Sequence, residues 1–146
     1  MFGTLFRKPA MLNVELADGS ELGAIETVAT EAAKALKLSP TAVRASILAS
    51  EVQGAQFAGE RAAILYASCD ELKAPRSLLV SLKTPVAWGF GATAHPVDQL
   101  VVLAMPNDSP AAAKQAMIER LRHKLAHGVP TDEKAAVRFA NSLLTE

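Results

Sequence analysis

The segment that decides the fold class is the apolar run Leu100-Val101-Val102-Leu103-Ala104-Met105, which leads directly into Pro106-Asn107-Asp108-Ser109-Pro110. A short apolar run bounded by proline and polar residues is typical of a buried strand. Two similar runs come earlier in the chain, Ala62 to Ala67 and Leu78 to Leu82, and each ends at polar residues. The three runs therefore predict the buried strands of one sheet.

The residues before these runs predict one more strand and two helices. Met11 to Leu16 alternates apolar and polar residues, which is typical of a half-buried strand. From Asp18 to Leu36 apolar residues recur at three- and four-residue steps, and Asp18 and Glu21 are spaced as a capping box. Ser39-Pro40 then predicts the start of a second helix, which ends near Gly54.

Two further helices are predicted after the last apolar run. Asp108-Ser109-Pro110 begins the first of them, and Gly128 supplies its C-cap. Its inward stripe consists of Ala113, Met117, Leu121 and Leu125. The second helix begins at about Thr131 and turns Val137, Ala140 and Leu144 inward. The segment Thr84 to Gly91 contains a proline and two glycines, so it predicts a connecting loop.

The predicted order is strand, two helices, three strands, two helices. We therefore expect an α/β fold of the α+β sandwich type, in which a mixed central β-sheet is flanked by helices on its faces. The 146 residues suit a single domain, 1–146, and half of them are hydrophobic.

Composition narrows the classes of function. Fifteen basic and fifteen acidic residues cancel, so no nucleic-acid partner is indicated. No apolar run approaches the roughly 20 residues that a membrane-spanning helix needs, so we expect no membrane insertion. The lone Cys69 has no partner for an intramolecular disulfide, which favours a cytoplasmic location.

A spaced set of short motifs carries a family resemblance. In order along the chain they are Ile47-Leu48, Glu51, Gly54, Ser81-Leu82-Lys83-Thr84-Pro85-Val86, Pro96-Val97-Asp98 and Pro106-Asn107-Asp108. The set resembles the enzyme IIA domains of the phosphotransferase system, of the fructose, mannitol and nitrogen-regulatory type. Members of that bacterial family typically carry an Arg-Glu pair, a Gly-Ser-Thr step, a glycine-rich stretch and Ala-Ile-Pro-His. The histidine of the last motif receives phosphate from a small phosphocarrier protein.

The resemblance implies that this chain lacks the phosphorylated histidine. Counting without a gap from Glu51 puts Tyr66 at that position, and only Gly59 remains of the glycine-rich stretch. Other positions of the family motif differ as well. Ser50 takes the position of the arginine, Ala55-Gln56 that of the Ser-Thr pair, and Ala113 that of a second histidine.

These replacements matter for the chemistry. A phosphoryl relay needs a nucleophile that is substantially neutral near pH 7 and whose phosphorylated form passes the group on, as imidazole does. Tyrosine has an unperturbed pKa of about 10, and its phosphate ester is too stable for reversible transfer. The resemblance therefore implies a regulatory relative that binds another protein and has no catalytic residue, although Arg61 could partly replace the lost arginine.

We take Glu51, Gln56, Arg61, Tyr66 and Cys69 as the candidate pocket or interface. One alternative is an active phosphocarrier in sugar phosphotransfer that uses His95 or His123 instead. Another is a small-ligand module in which Tyr66 stacks on the ligand and Arg61 or Gln56 supplies polar contacts. A shifted alignment would bring Cys69 to the critical position, but Asp70 and Glu71 beside it disfavour the thiolate.

The three histidines favour surface positions. His95 lies three residues before Asp98, which suggests a His–Asp pair, although a solvated loop histidine is the preferred interpretation. His123 and His127 are one helical turn apart, but no further ligand completes a metal site at helical spacing. We therefore predict no metal and no cofactor, and the sequence leaves homo-oligomerisation open.

Overall fold

The computed structural model describes residues 10–54, 56–89 and 94–144. In chain order, these residues form β1 (Ala10–Val14), α1 (Glu21–Leu36), α2 (Pro40–Gln53), β2 (Gln56–Ala58), β3 (Ala62–Cys69), β4 (Arg76–Trp88), β5 (His95–Pro106), α3 (Ala111–Leu125) and α4 (Glu133–Ser142). The predicted order of elements is confirmed, with one additional strand, β2. No helix among the described residues is long and apolar enough to cross a membrane.

The five strands form one sheet in the order β1-β4-β5-β3-β2. Strand β1 runs parallel to β4, and β3 runs parallel to β5. The β4–β5 and β2–β3 pairs are antiparallel. The sheet is therefore mixed, as predicted, and β5 and β4 lie in its interior.

The sheet separates two apolar cores. Because successive side chains of a strand point to opposite faces, Leu65 and Ala67 of β3 pack with α1 and α2, whereas Ile64 and Tyr66 pack with α3 and α4. We call these the α1/α2 face and the α3/α4 face. Each face buries a continuous apolar cluster, which explains why the strand sequences are apolar at almost every position.

The loop predicted for Thr84 to Gly91 is wrong over its first part, because β4 continues to Trp88. The pairing of β4 with β5 is irregular between Ser81 and Val86. Pro85 falls within this irregularity and is exposed, so its missing N–H does not remove a regular ladder bond. Residues 90 and 91 of the predicted loop lie outside the described residues.

Strand β2 was not predicted from the sequence, and its connection to β3 explains the need for Gly59, which the resemblance places in a glycine-rich stretch. Gly59 follows β2 directly and has a φ of 60°, a conformation that favours glycine. A Cβ at this position would lie 3.0 Å from the carbonyl oxygen of Leu125, at the end of α3. Gly59 thus permits the β2–β3 connection to approach α3 closely.

Helix boundaries differ from prediction by a few residues. Helix α1 is capped by Ser20, whose hydroxyl accepts from the N–H of Gly23, so Asp18 is not the N-cap. Helix α3 ends at Leu125 with Ala126 as its C-cap, two residues before the predicted Gly128. Its buried residues are Ile118, Leu121 and Leu125, whereas Met117 is half-buried and Ala113, predicted to face inward, is exposed.

Candidate functional site

Tyr66, the residue that the resemblance assigns to the phosphohistidine position, lies within β3 on the α3/α4 face. Its side chain belongs to the apolar cluster there, and the residue is 9% exposed. The Nζ atom of Lys114, in the first turn of α3, lies 4.1 Å from the centre of the tyrosine ring. Burial raises the pKa of Tyr66, with a smaller contribution from Cys69, so the phenol is neutral at physiological pH.

The second assigned histidine position, Ala113, lies on the element that faces Tyr66. Lys114 follows Ala113 directly and covers the tyrosine ring. Ala113 itself is exposed and offers no functional group. The cation over Tyr66 therefore comes from the neighbouring position of the same helical turn.

Gln56 connects the edge strand β2 to helix α3. Its Oε1 accepts from a guanidinium nitrogen of Arg122. The Nε atom of Arg122 also donates to the carbonyl oxygen of Phe57 at 3.2 Å, and its Nη1 lies 2.7 Å from a carboxylate oxygen of Glu119. Gln56 is thus part of a contact that fixes β2 against α3. Ala55, its neighbour at the Ser-Thr position, lies outside the described residues.

Arg61 forms an ion pair with Asp98 at the start of β3. Its Nη2 and Nε atoms lie 2.7 Å and 3.1 Å from the same carboxylate oxygen. The two residues line an open groove of about 440 Å³, whose other side is formed by the end of α3 and the following residues up to Val129. Asp98 is therefore paired with Arg61 rather than with His95, and Tyr66 does not line this groove.

Glu51 lies at the end of α2 on the α1/α2 face, where its Oε2 accepts from the indole Nε1 of Trp88 at 3.2 Å. Trp88 is fully buried. Burial of the carboxyl group raises the pKa of Glu51 from 4.5 to about 7; the Trp88 hydrogen bond lowers it in part, and the negative charge of Glu21 raises it further. The Oε1 atom of Glu21 accepts from the N–H of Gly89 at 2.8 Å. Two carboxylates therefore hold the end of β4.

Cys69 is buried on the α1/α2 face, on the opposite side of the sheet from Tyr66. Burial raises the pKa of its thiol, and the charges of Glu71 and Asp70 raise it further. The predicted effect of the acidic neighbours is therefore present, but burial is the larger cause. The side chain is a protonated core thiol.

The histidines do not assemble into a site. His95 is the exposed first residue of β5, and its ring stacks on Phe57 with 4.6 Å between centroids. It therefore lies in a strand, not in the loop that the sequence predicted. His123 and His127 are exposed and meet edge to face at 6.4 Å. Among residues 10–54, 56–89 and 94–144, no group of three His, Cys, Asp or Glu side chains could hold a metal ion.

The five candidate residues are divided among separate surroundings. The alternation of β3 sends Tyr66 and Cys69 to opposite faces, Gln56 contacts α3, and Arg61 lines the groove beside Asp98. Glu51, the fifth, contacts Trp88. The residues that sequence reasoning missed are Lys114, Trp88 and Glu21, because each acts through a contact between distant elements that no spacing reveals.

The mixed sheet with helices on both faces, together with the spaced motifs, defines an enzyme IIA-like domain. The family model described as "Phosphoenolpyruvate-dependent sugar phosphotransferase system, EIIA 2" matches residues 12–129. The chain therefore belongs to this family of phosphotransferase EIIA domains.

Solved structures share the fold. The nitrogen regulatory protein IIA-Ntr from Neisseria meningitidis superposes with a TM-score of 0.66 at 20% identity, over 94% of this chain and 85% of that one. IIA mannitol from Escherichia coli gives a TM-score of 0.65 at 13% identity, over 90% of this chain and 95% of that one. No curated protein matches the chain.

Proposed function

We propose that this chain is an enzyme IIA-like domain that does not carry phosphate and acts by binding another protein. The observation that carries the proposal is Tyr66, a buried residue under Lys114 at the position assigned to the phosphohistidine. The proposal treats residues 1–146 as one domain and gives it a regulatory role in the cytoplasm. The similarity to a nitrogen regulatory protein of Neisseria supports a role of this kind.

Accessibility supports the loss of phosphotransfer. Transfer between two proteins requires the accepting atom to come within about 3–3.5 Å of the donor phosphorus in a near-attack geometry. Tyr66 is mostly covered, and its phenol is neutral because burial raises its pKa. A protonated phenol in such surroundings is a poor nucleophile near pH 7.

The neighbouring groups support the same conclusion. Gln56 is engaged by Arg122 and Arg61 by Asp98, so neither is free to clamp the oxygens of a transferring phosphoryl group. Lys114 is the cation beside Tyr66, and it lies over the ring. A scaffold that is retained but has no free group among these described residues to hold a phosphoryl oxygen at this position is suited to protein binding rather than to phosphotransfer.

Intact-mass spectrometry tests the proposal. The protein is incubated with phosphoenolpyruvate, enzyme I and the phosphocarrier, and a competent IIA domain in a parallel reaction shows that the relay works. We expect no added phosphate on this chain. A stoichiometric gain of one phosphate would refute the proposal, and peptide mapping would then show whether His95 or His123 carries it.

The Tyr66→His variant tests whether the missing nucleophile alone, or also the replaced residues around it, prevents phosphorylation. We expect this variant to remain unphosphorylated in the same reaction, because Ser50 and Ala113 also replace functional groups of the family. If the variant gains phosphate, Tyr66 is the sole cause of the loss, and the rest of the site retains its capacity for transfer.

A further inference from the structure

Two large apolar side chains are exposed at the same end of the α1–α2 pair. Leu22, in the first turn of α1, is 53% exposed, and Val52, in the last turn of α2, is 87% exposed. Each directly follows a glutamate that contacts the end of β4: Glu21 contacts Gly89, and Glu51 contacts Trp88. Because Trp88 and Gly89 are consecutive, these contacts place the start of α1 and the end of α2, which carry Leu22 and Val52, beside the end of β4. We call Glu21, Leu22, Glu51 and Val52 the acidic–apolar patch.

The patch carries carboxylates without a cationic partner in the described part of the chain. There, no lysine or arginine forms an ion pair with Glu21 or Glu51. Arg44, a cation of α2, is paired with Glu26. The pKa of Glu51 is raised to about 7 by burial and by Glu21, as expected for a carboxylate that no positive charge stabilises.

We propose that the acidic–apolar patch docks a segment of a partner protein that carries a lysine or arginine next to an apolar side chain. The cation lies between the carboxylates of Glu21 and Glu51, and the apolar side chain covers Leu22 and Val52. Burial of apolar surface supplies affinity, and the charge pairing supplies orientation. The inference rests on the proposed function, since it specifies the partner surface of a protein-binding domain.

A second copy of the chain is a poorer occupant. A two-fold dimer joins the same patch on both subunits, so it would bring two pairs of carboxylates together. Like charges at close range are unfavourable, above all where solvent is excluded. A basic segment of a different protein avoids this repulsion.

Selection from a phage-displayed library of random peptides tests the inference with the full chain as the target. We expect enrichment of peptides with Arg or Lys next to Leu, Ile, Val or Phe. For the strongest peptide, Val52→Ser should weaken binding about tenfold, since an exposed apolar contact is lost. Glu51→Gln should also weaken it, whereas Glu26→Gln, a matched change on α1 outside the patch, should leave it unchanged.

The pH dependence gives a second readout. Binding to the wild type should strengthen between pH 6 and pH 8 as Glu51 ionises, and Glu51→Gln should remove this change. His95 is paired in register with Trp88, so His95→Gln serves as the matched control for this neighbouring imidazole and should preserve the change.

Several outcomes would overturn the inference: no consensus peptide, an acidic consensus, binding that Val52→Ser leaves intact, or self-association that Val52→Ser abolishes. A basic peptide that binds outside the acidic–apolar patch would refute the assignment of this patch as the docking surface, but it would still support the proposal that the chain binds a protein. Phosphorylation of the chain would instead overturn the proposed function, so the two failures are distinguishable.

Discussion

Each face of the sheet buries one amphipathic aromatic residue against a charged side chain, and the two contacts differ in kind. On the α3/α4 face, Lys114 lies over the ring of Tyr66. On the α1/α2 face, Glu51 accepts from the indole nitrogen of Trp88. A lysine reaches the ring with a long chain and keeps its ammonium near water, but the carboxylate of Glu51 is partly desolvated, and its pKa rises to about 7.

The comparison shows which of the two contacts can change its charge with pH. The Tyr66 ring is packed under Lys114 at the position that the resemblance assigns to the phosphohistidine. Glu51, at the end of α2, contacts Trp88 through a carboxyl group whose charge depends on pH and on any cationic partner. Variants on the two faces should therefore differ both in the size of their effects and in their pH dependence.

The largest effect should come from Trp88→Ala on the α1/α2 face. Trp88 is fully buried, and truncating a buried tryptophan lowers the free energy of unfolding by about 4 kcal/mol through lost transfer energy and the cavity left behind. Urea denaturation monitored by circular dichroism measures the change. Trp88→Phe keeps most of the ring and should cost clearly less; equal losses for the two variants would show that the indole hydrogen bond dominates over packing.

Tyr66→Ala should cost slightly less, about 3 kcal/mol, because the Tyr66 side chain is smaller than an indole and its residue is not completely buried. Tyr66→Phe should cost less than about 1 kcal/mol, since it keeps the ring packed in the apolar cluster and removes only the hydroxyl. The same urea titration measures both variants. A large loss for Tyr66→Phe would mean that the hydroxyl has a structural role, and Tyr66 would not be simple core packing.

The strands and helices show how far the sequence predicts the fold. Apolar runs and helical periodicity predicted four strands and four helices, because burial on both faces leaves a clear pattern. Strand β2 was missed because three residues are too few to show a period. The end of β4 was interpreted as a loop because Pro85 breaks a regular ladder, whereas the irregular pairing after Ser81 accommodates it.

Glu51→Gln should have a smaller effect that depends on pH. A carboxyl whose folded pKa is raised favours the protonated native state, so the contribution of Glu51 to stability falls as pH rises from about 4.5 to about 7 and is constant outside this range. The amide keeps an acceptor for Trp88 without the charge. The variant should therefore be more stable than wild type at pH 8, by at most about 3 kcal/mol and less after solvent screening, and similar to it at pH 4.

Thermal unfolding at pH 4, 6 and 8 measures this effect, with Glu26→Gln as the matched change at an exposed glutamate of α1. A constant difference between Glu51→Gln and wild type across the series would contradict the raised pKa. A difference that grows with pH would sharpen the contrast with Tyr66, whose variants should show no such trend below pH 9.

The candidate site was predictable only in part. The family resemblance assigned Tyr66 to the phosphohistidine position by counting from Glu51, whereas local spacing predicted only the strand and the helix on which the two residues lie. Their surroundings did not follow, since Lys114 and Trp88 reach them from elements distant in sequence. A pattern of residues predicts which face a side chain occupies more readily than which charge it meets there.

The smallest effect should come from Lys114→Met, which keeps an apolar chain over Tyr66 and removes the cation. Cation–π contacts at partly exposed sites contribute about 0.5–1 kcal/mol. A double-mutant cycle with Tyr66→Leu isolates this energy from the packing of either side chain. The cost of Lys114→Met should vanish in the Tyr66→Leu background, because an aliphatic side chain offers no negative ring face to the ammonium. A coupling energy near zero would leave Tyr66 held by packing alone, and its contact with α3 would then not distinguish it from any other core residue.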